Sequence, residues 1–137
     1  MIIVWSKNEK WNKIMRDYND QITLCFTKED TPFCRYELKN IYFKYEVYMN
    51  PTEEDLFDLL HEIGHIITNH AKMKRCEEEF YATQWAINNL KRYDVEVSNE
   101  LLDVFQRYIW KWREIGIKHG AKNIPSKKQL TLKYKKM

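Results

Sequence analysis

The sequence predicts an α+β fold, with a small antiparallel sheet and an N-terminal helix followed by a helical part. Two patterns indicate this fold: period-two alternation of β-branched and aromatic residues before residue 50, and apolar residues at helical spacing after it. The chain has 137 residues, of which 44% are hydrophobic, and only three Gly and three Pro, so long linkers are not expected. We expect a single domain over residues 1–123 and a basic C-terminal tail over residues 124–137.

The first quarter of the chain is predicted to hold two strands and one helix. Residues 1–5 are apolar enough for a short strand. Apolar residues beginning at Trp11 recur at helical spacing within residues 8–18, which predicts the N-terminal helix. Residues 22–26 have the β-branched and aromatic content of a second strand.

Residues 33–49 are predicted to form a hairpin. Lys39 and Asn40 are a candidate turn between its two arms. From Ile41 to Val47, apolar and more polar positions alternate, which is typical of a strand with two unlike faces. An exposed edge of this sheet, near residues 41–49, could bind an extended peptide by strand addition.

A central helix is predicted to follow and to run to about His70. Asn50 with Pro51 at the first helical position is one possible start, and a capping box of Thr52 and Asp55 is an equally good one. The apolar residues at helical spacing form its buried stripe: Leu56, Leu59, Leu60, Ile63, Ile66 and Ile67.

Two further helices are predicted in the remainder of the chain. One covers about residues 76–91. The other is capped by Ser98 or Asn99 and ends at Gly116 or Gly120.

Residues 61–65, within the central helix, read His-Glu-Ile-Gly-His and fit the metallopeptidase pattern H-E-x-x-H. Residues four apart lie on one face of a helix, so His61 and His65 can direct their imidazoles at one ion. Glu62 is rotated by about 100° from its neighbour, which suits a proton acceptor rather than a ligand of the same pair.

Helical projection separates the two motif histidines from the apolar stripe by about 180°. His70 falls within the stripe, so we interpret it as a core or capping histidine. Gly64 costs up to about 1 kcal/mol in mid-helix, which predicts that another element approaches closely there.

Catalytic zinc typically has three protein ligands, so a third ligand must lie outside the motif. The next helix begins with the acidic cluster 77–79. Glu79 is favoured over its two neighbours because it shares a face with Ala82 and Ala86, whose small side chains permit close helix docking.

Other candidates for the third ligand are weaker. His119 is predicted at a distant helix end, and Ala71 stands where the longer metzincin pattern needs a histidine. Cys76 lies one turn before Glu79 and could be a ligand, but we interpret it as a buried structural thiol.

The motif at residues 61–65, followed by Glu79-x-x-Ala82-x-x-Trp85-Ala86, resembles the signature of the ImmA/IrrE metallopeptidases, HExxH followed by E-x-x-A-[ND]-x-F-A. The resemblance covers about residues 41–90 and implies a zincin-like fold with Zn²⁺ as cofactor.

The family pattern implies that Glu79 is the third zinc ligand beside His61 and His65, with Glu62 as the catalytic residue. This sequence departs from the pattern in two places, with Thr83 for Asn or Asp and Trp85 for Phe. The implied activity is that of a zinc-dependent endopeptidase that cleaves a regulatory protein, such as a helix-turn-helix repressor of a phage or mobile element.

The proposed chemistry also needs a donor for the oxyanion that develops during peptide hydrolysis. The candidates are Tyr81, Tyr108 and His119. The alternative function is a non-catalytic regulatory protein that uses the fold to bind a partner, although such a binder has no need of Glu62.

Charge and cysteine content indicate which partners to expect. Residues 107–137 contain ten Lys or Arg and one acid, a balance of +9, so the rest of the chain carries −6 of the total of +3. A solvated tail accounts for this, and without a DNA-binding motif we do not expect nucleic acid as a partner.

Three widely spaced cysteines indicate free thiols in a reducing compartment, and no signal peptide or membrane span is recognisable, so we expect a cytoplasmic protein.

Overall fold

The computed structural model describes residues 5–68 and 73–135, and its fold is α+β as predicted. In chain order the elements are α1 (Glu9–Tyr18), β1 (Thr23–Phe26), β2 (Phe33–Arg35), β3 (Asn40–Phe43), α2 (Tyr45–Met49), α3 (Glu53–Thr68), α4 (Arg75–Leu90) and α5 (Asn99–Lys118). The strand predicted at residues 1–5 lies almost entirely outside the described residues, and so does His70.

The three-stranded sheet is mixed, and the prediction of an antiparallel sheet was wrong. β3 lies in the middle, antiparallel to β2 through the pair Cys34 and Ile41, and parallel to β1 through the pair Leu24 and Ile41. β1 and β2 run in opposite directions, so a strand inserted between them and antiparallel to β2 must be parallel to β1. β3 takes the centre because its Ile41 and Phe43 are fully buried.

The second arm of the predicted hairpin is shorter than expected. β3 ends at Phe43, and the residues from Tyr45 form the short helix α2. This turn of helix packs Val47 and Tyr48 against the core, where the rings of Tyr48 and Trp11 meet edge to face with centroids 6.1 Å apart. The sequence still alternates beyond Phe43, but the strand does not continue. Tertiary packing, not the local period, decides where β3 ends.

The helix starts follow the capping signals in the sequence. At α3, the backbone N–H of Thr52 donates to the Asp55 carboxylate at 2.8 Å, and the N–H of Asp55 donates to the Thr52 hydroxyl at 3.2 Å. Ser98 caps α5 by accepting from the backbone N–H of Leu101 at 3.1 Å. None of the helices described within residues 5–68 and 73–135 has the length and apolar character needed to cross a membrane.

Helices α3 and α4 pack against each other at very short range around Gly64. A Cβ atom added to Gly64 would lie 2.9 Å from the backbone oxygen of Ala82 and 3.1 Å from the Trp85 ring. The predicted close approach is confirmed, and the small, fully buried Ala82 and Ala86 provide the matching surface on α4.

Residues 124–135 pack back along α4 and α5. Gln106 holds the segment by donating to the carbonyl of Leu130 at 2.8 Å and accepting from the N–H of Leu132 at 2.6 Å. Gln84 makes the same pair of bonds with the backbone of Lys133. Leu130 is buried with Cys76 and Ile109 in a second, smaller core.

Substitution of Gly64 by Ala tests the helix contact. The added methyl group meets backbone, which cannot move aside, so overpacking should outweigh the ~1 kcal/mol gained in helix propensity. We expect a net loss of about 1–2 kcal/mol in the free energy of unfolding, measured by urea denaturation.

The matched control is Gly116→Ala in α5, where the nearest atom is the flexible end of Ile124, at 3.0 Å. It should be neutral or stabilising. A Gly64→Ala protein as stable as this control would contradict the close packing.

Candidate metal centre

Helix α3 carries both histidines of the motif on the side that faces α4. The four-residue spacing places His61 one turn before His65, and the two rings meet edge to face with centroids 4.6 Å apart. His65 is 4% exposed, and Glu62, between them, is 7% exposed. The helix thus buries the imidazole of His65 and the carboxylate of Glu62, whereas His61 is partly exposed.

Helix α4 places Glu79 opposite this pair. Its carboxylate oxygens lie 3.1 Å from His61 Nε2 and 3.4 Å from His65 Nε2, and the residue is only 2% exposed. One ligand atom from each of the three residues lies within 4.8 Å of the others. The structure therefore brings together the three residues that the sequence predicted as ligands.

The donor set fits a metal ion. His61 Nε2 and Glu79 Oε2 are both buried and make no properly oriented hydrogen bond in the described part of the chain, although they face each other. Leaving buried polar atoms unsatisfied is costly, and an ion between them would satisfy both. Ligand atoms at about 2.0–2.1 Å from a tetrahedral zinc stand about 3.3–3.4 Å apart, close to the two observed N–O separations.

The two carboxylates of the centre have opposite pKa shifts. Burial alone would raise the pKa of Glu79, but the short contacts of its carboxylate with the imidazoles of His61 and His65, and their charges, outweigh burial and lower the pKa. Burial raises the pKa of Glu62 to about 7, against the opposing effects of His65 and of the Cys34 thiol, which donates to the carboxylate. Glu79 is thus kept ionised as a ligand, while Glu62 can exchange a proton near neutral pH.

Tyr36 supports His65 from outside the ligand set. Its hydroxyl oxygen lies 3.1 Å from His65 Nδ1, and the rings meet edge to face. When Nδ1–H donates to this oxygen, Nε2 keeps its lone pair for a metal, so the contact selects the ligating tautomer. Sequence reasoning missed Tyr36, because its contact with His65 spans 29 positions and belongs to no local motif.

Arg75 anchors the third ligand from one turn away on α4. Its guanidinium lies 3.1 Å from Glu79 Oε1, and it also bonds to the Tyr108 hydroxyl and lies over the Trp112 ring. Glu77 instead caps α4, and Glu78 pairs with Arg75. The other two glutamates of the acidic cluster 77–79 therefore do not belong to the candidate ligand set.

The remaining candidates occupy different places. Tyr108 lines the cleft above the histidines, whereas Tyr81 is 44% exposed and outside the set of lining residues. His119 bonds to the Ile115 carbonyl at the end of α5, and it lines a separate cavity together with Cys76. Of the three predicted oxyanion donors, the structure brings only Tyr108 to the cleft.

The centre lies in an open cleft of about 680 Å³ between the sheet edge and α5. Strand β2 forms one wall with Phe33 and Cys34, and α5 forms another with Phe105 and Tyr108. The predicted peptide-binding edge near residues 41–49 was wrong, because both edges of β3 are paired. Among the described strands, β2 is the one with a free edge beside the cleft.

The cleft also contains Thr83 and Asp58. Thr83, which stands where the family signature has Asn or Asp, is 2% exposed and lines the floor. Asp58 is one turn before Glu62 on α3 and forms no salt bridge with any described residue.

Comparison of the chain with protein-family models, with curated proteins and with solved structures found no significant match.

Replacing Tyr36 by Phe should weaken metal binding without unfolding the protein. Loss of the bond to His65 Nδ1 removes the group that fixes the imidazole, and such outer-shell changes typically cost about 10–100-fold in affinity. Competition with a zinc-binding dye measures this affinity. Tyr42→Phe is the control, since Tyr42 bonds to Asn40 on β3 instead; equal affinities in the two variants would contradict the role of Tyr36.

Asp58 should make the metal-free protein less stable as the pH rises. Burial raises the pKa of Asp58 from 3.8 to about 7, and the charges of Glu54 and Asp55 add to the effect. A raised carboxyl pKa gives a contribution to stability that is present below pH ~4 and is lost as the pH rises through ~7.

In urea denaturation with a chelator, Asp58→Asn should therefore be more stable than wild type at about pH 8, with a smaller difference at about pH 5. The exposed Asp20→Asn serves as control and should change the free energy of unfolding by less than ~0.5 kcal/mol at both pH values. An Asp58→Asn protein that is less stable than wild type at about pH 8 would contradict the destabilising effect of the ionised Asp58 carboxylate.

Proposed function

We propose that this protein is a zinc-dependent endopeptidase of the ImmA/IrrE type. The observation that carries the proposal is the pair of buried, unsatisfied atoms on His61 and Glu79, with Glu62 buried beside them at the base of a cleft. Three ligands, one adjacent carboxylate and an open approach are the parts that a zinc hydrolase needs.

The roles of the residues follow from their positions. His61, His65 and Glu79 would hold zinc, which when bound polarises a peptide carbonyl and lowers the pKa of a water toward ~7. Glu62 accepts the proton of the attacking water on its carboxylate and then delivers it to the leaving amine. Burial raises the pKa of Glu62, which favours its uptake of the proton.

Two groups of the cleft would orient a substrate. The free edge of β2 can pair with an extended peptide through backbone hydrogen bonds, which places one peptide bond next to Glu62. The Tyr108 hydroxyl, held by Arg75, is the donor best placed to stabilise the developing oxyanion.

The substrate class that we propose is a regulatory protein, such as a helix-turn-helix repressor of a phage or mobile element. Its support is the sequence resemblance around His61, Glu62, His65 and Glu79. The compartment that we propose is the cytoplasm, on the evidence of the three free cysteines.

Glu62→Gln tests the chemistry separately from metal binding. This variant removes the proton acceptor and leaves the three ligands, so it should retain zinc and lose cleavage by about 10²–10⁴-fold. Zinc content is measured by mass spectrometry, and cleavage with a library of quenched fluorescent peptides.

The exposed Glu46→Gln on α2 is the matched control and should behave like wild type. Zinc-loaded wild type that cleaves no peptide, or a Glu62→Gln protein as active as this control, would contradict the proposal.

A further inference from the structure

A second cavity, of about 400 Å³, lies beside the metal cleft between the starts of α3 and α5. Its floor is apolar, made by residues of α3, α4, α5 and the segment before α5: Phe57, Leu90, Val95, Val97, Leu101 and Val104. Its rim is acidic, made by Glu53, Glu54, Glu96 and Glu100. No Lys or Arg belongs to this lining, all of which falls in the described part of the chain.

The two cavities are neighbours along α3 and α5. Val104, which is 52% exposed, lines both of them. Phe57 in the floor of the second cavity stacks on Phe105 of the metal cleft, with ring centroids 3.9 Å apart. A chain that lies over the metal centre and continues past Val104 therefore enters this acidic groove.

Carboxylates mark the path from the groove to the metal centre. Glu54, Asp58 and Glu62 stand four residues apart, so they follow one another along one face of α3. Glu54 lines the groove, whereas Asp58 and Glu62 line the metal cleft. Arg75, the cation that lines the metal cleft, already pairs with Glu79. The charges that act on Asp58 are the carboxylates of Glu54, Asp55 and Glu62.

Helix stabilisation alone does not account for this arrangement. Glu53, Glu54 and Glu100 lie in the first turns of their helices, where acidic residues offset the helix dipole. Asp58 lies beyond the first turn and is half-buried without a counter-charge, and Glu96 precedes α5 altogether. A half-buried carboxylate of this kind is stabilised when a cation is brought to it.

We propose that the acidic groove binds a basic amphipathic segment of the substrate, next to the peptide bond that is cut. Apolar side chains of that segment cover Leu101 and Val104, its Lys or Arg side chains meet the rim, and one basic side chain reaches Asp58. This inference rests on the proposed function and adds the substrate's chemical character to it. The same acidic rim repels nucleic acid.

Peptide binding to the Glu62→Gln protein tests the groove without cleavage. Three labelled peptides share one pattern of Leu at helical spacing and carry Lys, Gln or Glu at every polar position. Fluorescence anisotropy at low salt should give the Lys peptide an affinity at least about tenfold higher than the Gln peptide, with the Glu peptide weakest. Raising the salt to about 0.5 M should reduce the difference.

Two triple variants of equal charge locate the effect. The first combines Glu54→Gln, Asp58→Asn and Glu100→Gln. It should lower the affinity for the Lys peptide at least about tenfold and leave the affinity for the Gln peptide unchanged. The control triple variant combines Glu9→Gln, Asp20→Asn and Glu37→Gln, three exposed sites outside both cavities, and should change neither peptide. If the groove variant does not fold, Glu100→Gln alone, at an exposed site, still distinguishes the Lys peptide from the Gln peptide.

Equal binding of the Lys and Gln peptides, or equal losses in the two triple variants, would overturn the inference. Cleavage by the zinc-loaded wild type without preference for Lys near the cut would also overturn it, while leaving the proposed peptidase intact. Groove-dependent binding of the Lys peptide without any cleavage would instead reject the peptidase and retain the docking site.

Discussion

The close contact of α3 and α4 at Gly64 is the constraint on which the metal centre depends. Without a Cβ at this position, the backbone of Ala82 can lie against α3, and Glu79, one turn before Ala82, then comes level with His61 and His65. A helix pair held farther apart by one methyl group would move the carboxylate away from the imidazoles. The geometry of the three ligands is therefore a consequence of backbone packing as much as of the ligands themselves.

The parts of the fold that local patterns determine could be predicted from the sequence. The capping box at Thr52 and the helical spacing of the motif depend on neighbours within one or two turns. Glu79 could be selected because the small residues on its face, Ala82 and Ala86, predict a close helix contact. The strand order was not predictable in this way, since the pairing of β1 with β3 joins segments that no local period connects.

The outer shell of the metal centre was beyond sequence reasoning for the same reason. Tyr36 and Cys34 come from β2 and the turn after it, and they reach His65 and Glu62 only when the sheet packs against α3. Nothing in the spacing around Tyr36 distinguishes it from the other tyrosines of the chain. Outer-shell residues act through tertiary contacts, so their identification needs the folded chain.

The distribution of charge gives the cleft two different sides. At the candidate metal centre Arg75 pairs with Glu79, and this helps to fix the position of the third ligand. Toward the start of α3, carboxylates accumulate without cations, and Asp58 is half-buried among them. The two ends of the cleft therefore differ in charge balance, and the proposed basic segment would supply the cations that the carboxylate end lacks.

We propose that His61, His65 and Glu79 together bind one zinc ion. Zinc X-ray absorption spectroscopy on the protein loaded with one equivalent of zinc identifies the atoms that bind this ion. We expect a first shell of nitrogen and oxygen at about 2.0–2.1 Å, with two imidazoles and no sulfur. A sulfur ligand at about 2.3 Å, which would come from one of the three cysteines, or failure of the chain to bind zinc, would contradict it.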